Sequence, residues 1–271
     1  MRRSSVAARA WRALSPVCII LGAVVLGGCG GSDSPSAGSG STQGVGNSGA
    51  AASATESTNW AGYAITGTVG GFKQVSASWT VPGPDCSGGG AAASATWAGI
   101  GGLKVGDLTL IQAGTEQDCN NGSASYYAWW EGYPAASKDI STAGNYPVSP
   151  GDQISVTVSS SLLLFWDISI HDLSAGWTFT TTTPFLAAGE SAEWIEEAPL
   201  EIGSSGSQQA ALANFGQVFF SALTANSANP ALSDDDRIDM VDTKGNIVAS
   251  PSAPGSGGDS FSVCFGAGSC N

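Results

Sequence analysis

Three segments of the chain carry side chains that could do acid–base chemistry. The first is Trp97-Ala98-Gly99-Ile100-Gly101, followed by Leu108-Thr109-Leu110-Ile111-Gln112-Ala113-Gly114-Thr115-Glu116. On a strand, Leu108, Leu110 and Gln112 share one face. A glutamine that ends an apolar face needs a partner, because a buried amide left unbonded is costly; otherwise it is an edge residue facing water. The second segment is Tyr126 to Pro134, YYAWWEGYP, in which five of the first eight residues are aromatic. Tyr127, Trp129, Glu131 and Tyr133 share one strand face; Tyr126, Ala128 and Trp130 share the other. One face is expected to join the core. The other would present aromatics around a carboxylate, as a groove for an extended ligand requires. A large aromatic core with a surface glutamate is the plainer reading. The third segment is Ala192 to Pro199, with Glu193, Ile195 and Glu197 on one face and Trp194 and Glu196 on the other. Clustered carboxylates raise one another's pKa, and so does partial burial. A glutamate so raised can accept and return a proton near its working pH. Against this stands a solvated acidic strand end.

These segments need strands to position them, and strands dominate the pattern. Phe72, Val75, Ala77, Trp79 and Val81 approximate a two-residue period. Ile154, Val156 and Val158 alternate, as do Trp177 and Phe179 with Thr178 and Thr180. Turn signals fall between them: Pro82-Gly83-Pro84, Asn121-Gly122, Ser149-Pro150-Gly151 and Lys244-Gly245-Asn246. Many short strands with such turns predict a β-sandwich. Residues 208–214 are the one stretch that reads as a short helix. Asp234-Asp235-Asp236 reads as a solvated turn, and His171 as structural.

Composition narrows the function. Of 271 residues, 9 are basic, 22 acidic and one is histidine, for a net charge of −13. That disfavours nucleic-acid partners and polybasic lipid contacts. A single histidine disfavours a His-based triad or a His-rich metal site. With few cations to repel one another once the carboxylates protonate, the chain is expected to stay folded in acid.

The amino terminus reads as an address. Arg2, Arg3, Arg9 and Arg12 precede a short apolar run, Val17 to Leu26, and then Gly27-Gly28-Cys29. This resembles a bacterial lipoprotein signal over residues 1–28, with Cys29 the lipidated first residue of an exported envelope protein. Residues 29–58 form a Gly/Ser/Ala tether, and residues 59–271 the folded domain. Beyond the signal, Cys86, Cys119, Cys264 and Cys270 suggest two disulfides. Of three pairings, Cys264–Cys270 with Cys86–Cys119 is favoured: the former closes a small loop and the latter joins two loops. A four-thiolate zinc site is the rival, and the CxxC spacing it favours is missing.

Taken in order, four motifs resemble the glutamic peptidase (eqolisin) family: Trp-x-Gly-Ile at Trp97, Leu/Ile-Gln-x-Gly at Gln112, Tyr-x-Ala-Trp-x-Glu-x-Tyr-Pro at Tyr126, and Ala-Glu-Trp-Ile-x-Glu at Ala192. The resemblance runs from about Asn59 to the end of the chain. It implies a concanavalin-like sandwich of two antiparallel sheets, with substrate bound in a groove on the concave face. It also implies an acid-active endopeptidase that uses a Gln/Glu dyad and no metal or cofactor; unfolded polypeptides are the expected substrates, and the protein is expected to be a monomer. The family's catalytic glutamine falls on Gln112 and its catalytic glutamate on Glu193. Trp97 falls near the dyad; Glu116, Trp129, Glu131 and Tyr133 fall in the cleft. The chain departs from the family pattern at Gly101, where an acid is usual, at Tyr127, where aspartate is common, and at Gly132, where a bulky aromatic is common.

Two other functions fit some of the residues. A sandwich glycoside hydrolase would use Glu131 and Glu193 as its carboxylate pair, which a retaining mechanism needs about 5 Å apart. A non-catalytic envelope-tethered binding module would turn over no substrate.

Overall fold

A computed structural model of the chain describes residues 55–270, apart from 105, 142, 143, 163, 204, 205 and 269. The signal and tether, with Cys29, lie outside the described residues. The described residues form strands β1 (Thr55–Ser57), β2 (Trp60–Thr66), β3 (Gln74–Thr80), β4 (Ala92–Gly101), β5 (Leu110–Asn120), β6 (Ser123–Tyr133), β7 (Lys138–Asp139), β8 (Gln153–Leu162) and β9 (Phe165–Asp172). They continue with β10 (Trp177–Pro184), β11 (Ser191–Glu197), β12 (Leu200–Gly203), β13 (Gly206–Gln209), β14 (Gln217–Ala225), β15 (Arg237–Val241), β16 (Ile247–Pro251) and β17 (Phe261–Phe265). A 3-10 turn, Asp234–Asp236, falls where the sequence places a solvated acidic turn.

Hydrogen bonds link the strands in the order β10-β9-β8-β3-β14-β17-β16-β15-β2-β11-β4-β5-β6-β7. Pairing along this path is antiparallel; β1 joins β15 in parallel at its side. The path folds over itself, so that β4, β5 and β11 lie against β3, β8 and β14. The result is the expected sandwich, with its two layers joined through β16 and β17 rather than separate.

The two-residue period decides which side chains meet between the layers. In β3, Val75, Ala77 and Trp79 are buried while Ser76 and Ser78 are half-exposed. In β8, Ile154, Val156 and Val158 face the same core. Trp79, Trp194, Phe220 and Phe261 are fully buried there, each stabilising the fold by roughly 1.5–3 kcal/mol. Two indole N–H groups cross the core: Trp79 Nε1 donates to Thr115 Oγ1 at 3.0 Å, and Trp194 Nε1 to the Ser76 carbonyl at 2.9 Å. They satisfy polar edges that would otherwise be costly to bury and tie the functional layer to its backing layer.

Cys86 pairs with Cys119 and Cys264 with Cys270, with Cα–Cα distances of 5.3 and 5.6 Å. This is the favoured pairing, and such bonds belong to exported proteins. The first anchors the far end of β5.

Two local expectations are corrected. Residues 208–214 form no helix. Their peptide groups bond to distant backbone instead: Ala210 N to the Pro199 carbonyl at 2.8 Å and Ala213 N to the Ala93 carbonyl at 3.0 Å. Leu108 does not share a strand face with Leu110 and Gln112; it lies before β5 and is exposed.

Candidate active site

Register across the functional layer sets the site. Gly99 on β4 pairs with Gln112 on β5 on one side and with Glu193 on β11 on the other. Gln112 pairs in turn with Glu131 on β6, and Glu193 with Ala64 on β2. Glu131, Gln112, Gly99, Glu193 and Ala64 therefore form one row across five strands, on one face. The backbones of Gln112 and Glu193 are two strands apart, about 10 Å, with only a glycine between them. A Cβ on Gly99 would lie 2.9 Å from the Trp97 ring and 3.0 Å from Gln112 Cβ. Glycine is what keeps the space between the amide and the carboxyl open.

Neighbouring rows complete the face. Trp129, Gly114, Trp97 and Ile195 form one row; Tyr127, Glu116, Ala95 and Glu197 form the next; Tyr133, Leu110 and Gly101 lie on the opposite side of the Glu131–Glu193 row. Tyr127, Trp129 and Tyr133 belong to this face, and Tyr126, Ala128 and Trp130 to the inter-layer core, as the alternation of the aromatic strand predicts. Ile195 and Trp194 divide the same way on β11.

The hydrogen bonds show how each group is held. Gln112 Nε2 donates to Glu131 Oε2 at 2.7 Å. Burial pushes the Glu131 carboxyl up to about 8, against the lowering effect of that amide. Trp97 Nε1 donates to Glu197 Oε2 at 2.8 Å, and Asn59 Nδ2 donates to Glu197 Oε1 at 3.0 Å. Glu197 thus orients the indole that packs beside Gly99, and Trp60 meets that indole edge-on, with ring centroids 5.0 Å apart. Glu116 is buried, bonded to the Tyr127 phenol, and held well above the ordinary carboxyl range by desolvation and by Asp118. Glu196 points the other way, into the core, where it accepts from Thr96 Oγ1 at 2.6 Å and burial raises it to about 8.

Glu193 is fully buried, and desolvation raises its carboxyl well above 4.5. Asp107 adds to the rise, while the Ser191 hydroxyl and the Gly101 N–H act in the opposite sense. Neither of those two donors reaches good hydrogen-bond geometry, and both Glu193 oxygens are left without a partner. Gln112 Oε1 and Glu131 Oε1 are likewise unpartnered acceptors in the same row, and Trp60 Nε1 and Trp129 Nε1 are unpartnered donors on the same face. Buried polar atoms are rarely left so, and their concentration on one face marks it as a place for a polar ligand. Among the described residues no group of three or more His, Cys, Asp or Glu side chains is arranged to hold a metal ion.

The structure thus brings Gln112, Glu193, Trp97, Glu116, Trp129, Glu131 and Tyr133 to one face. Glu131 lies beside Gln112 in that row, as fully buried as Gln112 and Glu193, and is bonded to the amide. Glu131 and Glu193 are three strands apart with Gln112 between them, an arrangement unlike the close carboxylate pair of a retaining glycosidase. His171 is exposed on β9. Sequence reasoning passed over Asn59, Ser191 and Asp107. Two departures from the family pattern are filled from elsewhere in the chain. The Phe185 ring lies 3.0 Å from where a Gly132 Cβ would be, and Asp107 Oδ2 lies 3.3 Å from where a Gly101 Cβ would be.

A β-sandwich with an amide and buried carboxyls aligned on one sheet face has the makings of a hydrolase site. The profile of the Peptidase A4 family matches residues 58–263, and the chain belongs to that family; it is a hydrolase acting on peptide bonds. It is similar to aspergillopepsin-2 of Aspergillus niger, with 27% identity over 232 residues, 77% of this chain and 78% of that protein. It is also similar to scytalidopepsin B of Scytalidium lignicola, with 31% identity over 158 residues, 57% of this chain and 56% of that one. The crystal structure of scytalido-glutamic peptidase with a transition state analog inhibitor superimposes with a TM-score of 0.64 at 26% identity, covering 77% of this chain and 98% of that one.

Proposed function

We propose that the protein is an acid-active endopeptidase in which Gln112 and Glu193 activate one water between them. The observation that carries this reading is the row in which both residues pair with Gly99. Glu193 as carboxylate takes a proton from the water, which attacks the peptide carbonyl. It then passes that proton to the leaving nitrogen. The Gln112 amide has one N–H committed to Glu131; its second N–H donates to the developing oxyanion. Gln112 Oε1 and the Glu193 oxygens, all lacking donors, accept the two hydrogens of the water and so orient it. Glu131 serves the reaction by holding the amide rather than by touching substrate. Trp97, Trp129, Glu116 and Tyr133 line the groove for an unfolded polypeptide. The crystal structure of scytalido-glutamic peptidase with a peptide based transition state analog supports a peptide-like ligand for this chain.

Burial also sets the working range. The base form of Glu193 is populated only above its pKa, which burial raises, so activity should fall away toward the acid end of the range. The test is digestion of a denatured protein from about pH 3 to 7 by wild type, Gln112→Ala and Glu193→Gln. Both variants should fold and lose about 10²–10⁴-fold in kcat/KM. Wild-type activity in either would refute the assignment. Anchoring through a lipid on Cys29 is part of the same proposal: Cys29→Ser should release the protein from membranes, and unchanged membrane retention would contradict it.

A further inference from the structure

The loop from Gly102 to Thr109, between β4 and β5, carries a carboxylate that the reaction above leaves unused. Asp107 Oδ1 accepts from Thr109 N at 2.9 Å and from Thr109 Oγ1 at 2.5 Å, and its Oδ2 accepts from Gly102 N at 3.1 Å. The same Oδ2 stands 3.3 Å from the point a Cβ on Gly101 would occupy. No side chain can stand there. Gly101 has φ +95°, a region L-residues avoid, and the Thr109 carbonyl lies 2.2 Å from that point. The space at the end of β4 is therefore taken by the Thr109 carbonyl, with the Asp107 carboxylate, from six residues downstream of Gly101, beside it.

The loop is tied to the entry of β11. Thr109 Oγ1 accepts from Ala188 N at 3.0 Å. Lys104 Nζ donates to the Gly67 carbonyl at 2.6 Å and pairs with Glu190 Oε1 at 3.1 Å. Gly101 lies on the Glu193 face, and its N–H acts on that carboxyl. The groups around Glu193 can be named strand by strand. β2 presents Ala64 and β4 presents Gly99 and Gly101. β5 presents neutral Gln112, with Glu131 beyond it on β6. β11 carries Ser191 and, four residues past Glu193, Glu197, bonded to Trp97 and Asn59. The loop adds Lys104, engaged with Glu190, and Asp107, which adds to the rise of the Glu193 carboxyl.

We propose, building on the assignment of Glu193 as the acid–base group, that Asp107 is its positioning residue: it clasps the 102–109 loop over the end of β4 and sets a negative charge beside the reacting carboxyl. The charge strengthens the hold of Glu193 on the proton it takes from water, so that the proton is kept until the leaving nitrogen can receive it. A merely structural clasp would hold the loop without touching this step.

The experiment compares pH profiles of kcat/KM, together with melting temperatures, for wild type, Asp107→Asn, Lys104→Met and Glu193→Gln. In Asp107→Asn the acid limb should move to lower pH by roughly one unit. Lys104→Met, which cuts the loop's tether and leaves Asp107 in place, should alter KM or melting temperature and leave the limb where it is. Carbon NMR titration of the Glu193 carboxyl should show the same displacement without turnover. If Asp107→Asn does not fold, Asp107→Ser, which keeps an acceptor for Thr109 and removes the charge, is read in the same way. An unmoved limb in a folded, uncharged variant overturns the proposal for Asp107. Wild-type activity in Glu193→Gln would instead overturn the catalytic assignment on which it rests.

Discussion

Raising the pH from about 4 to 7 should lower the melting temperature of this protein by roughly 10–25 °C. Glu131 and Glu196 each have an ordinary value of 4.5 and are raised by burial to about 8. In the unfolded chain they ionise near 4.5; in the folded protein they keep their protons to about pH 8. The stabilisation is therefore complete below the unfolded value and is lost as pH rises toward the folded one. At pH 7 the loss is about 3 kcal/mol for each group, or about 6 kcal/mol together. That is a large share of a total stability of roughly 5–15 kcal/mol. At about 2–4 °C per kcal/mol for a domain of this size, it gives the range above. Glu116 and Glu193, also raised by burial, act with the same sign. The assay is circular dichroism melting at pH 4, 5.5 and 7. Glu196→Gln, whose amide oxygen can still accept from Thr96, should melt roughly 5–10 °C above wild type at pH 7 and alongside it at pH 4. A melting temperature that is level or rises between pH 4 and 7 would refute the reasoning.

Other consequences can be checked one by one. Gly99→Ala places a methyl between the amide and the carboxyl and should lower kcat/KM at least about tenfold, a loss of at least about 1.4 kcal/mol in transition-state stabilisation; unimpaired turnover would show that the gap is not where water is held. Glu197→Gln replaces one of the two acceptor oxygens that hold Trp97 and Asn59 and should raise KM more than it lowers kcat, as steady-state kinetics would reveal. Replacing Cys86 and Cys119 by alanine removes a 33-residue cross-link and should destabilise the fold by about 3–4 kcal/mol, measured by urea unfolding. The rate should rise with pH through the titration of Glu193, whose carboxyl burial raises, as a pH–rate profile would show.

Much of the site was legible because strand alternation is local. Once β5 and β11 are read as strands, the faces of Gln112, Glu193, Ile195 and Glu197 follow from parity alone. The aromatic strand divides between groove and core on the same rule. The four cysteines paired as expected because one bond closes a short loop and leaves the other two as partners. What parity cannot give is which residue from another part of the chain fills a space. Asp107 at Gly101 and Phe185 at Gly132 depend on loops folding back over glycines, and nothing in their own neighbourhood announces it. Residues 208–214 carry helix-forming alanines and glutamines, yet long-range backbone pairing with Ala93 and Pro199 overrode that propensity. The depth of burial of Glu131 and Glu196 was equally hidden, since it depends on both layers at once. The scarcity of cations led to an expectation of acid tolerance; burial that raises the Glu131 and Glu196 carboxyls acts in the same direction.

The central claim is that Gln112 and Glu193 act as a unit on one water. It is tested most directly by measuring kcat/KM for Gln112→Ala, Glu193→Gln and the double variant on one peptide at the optimum pH of wild type. Groups that act together lose their effect together, so the double variant should be no slower than the slower single. If the two losses multiply, the residues act independently and the shared-water account is wrong.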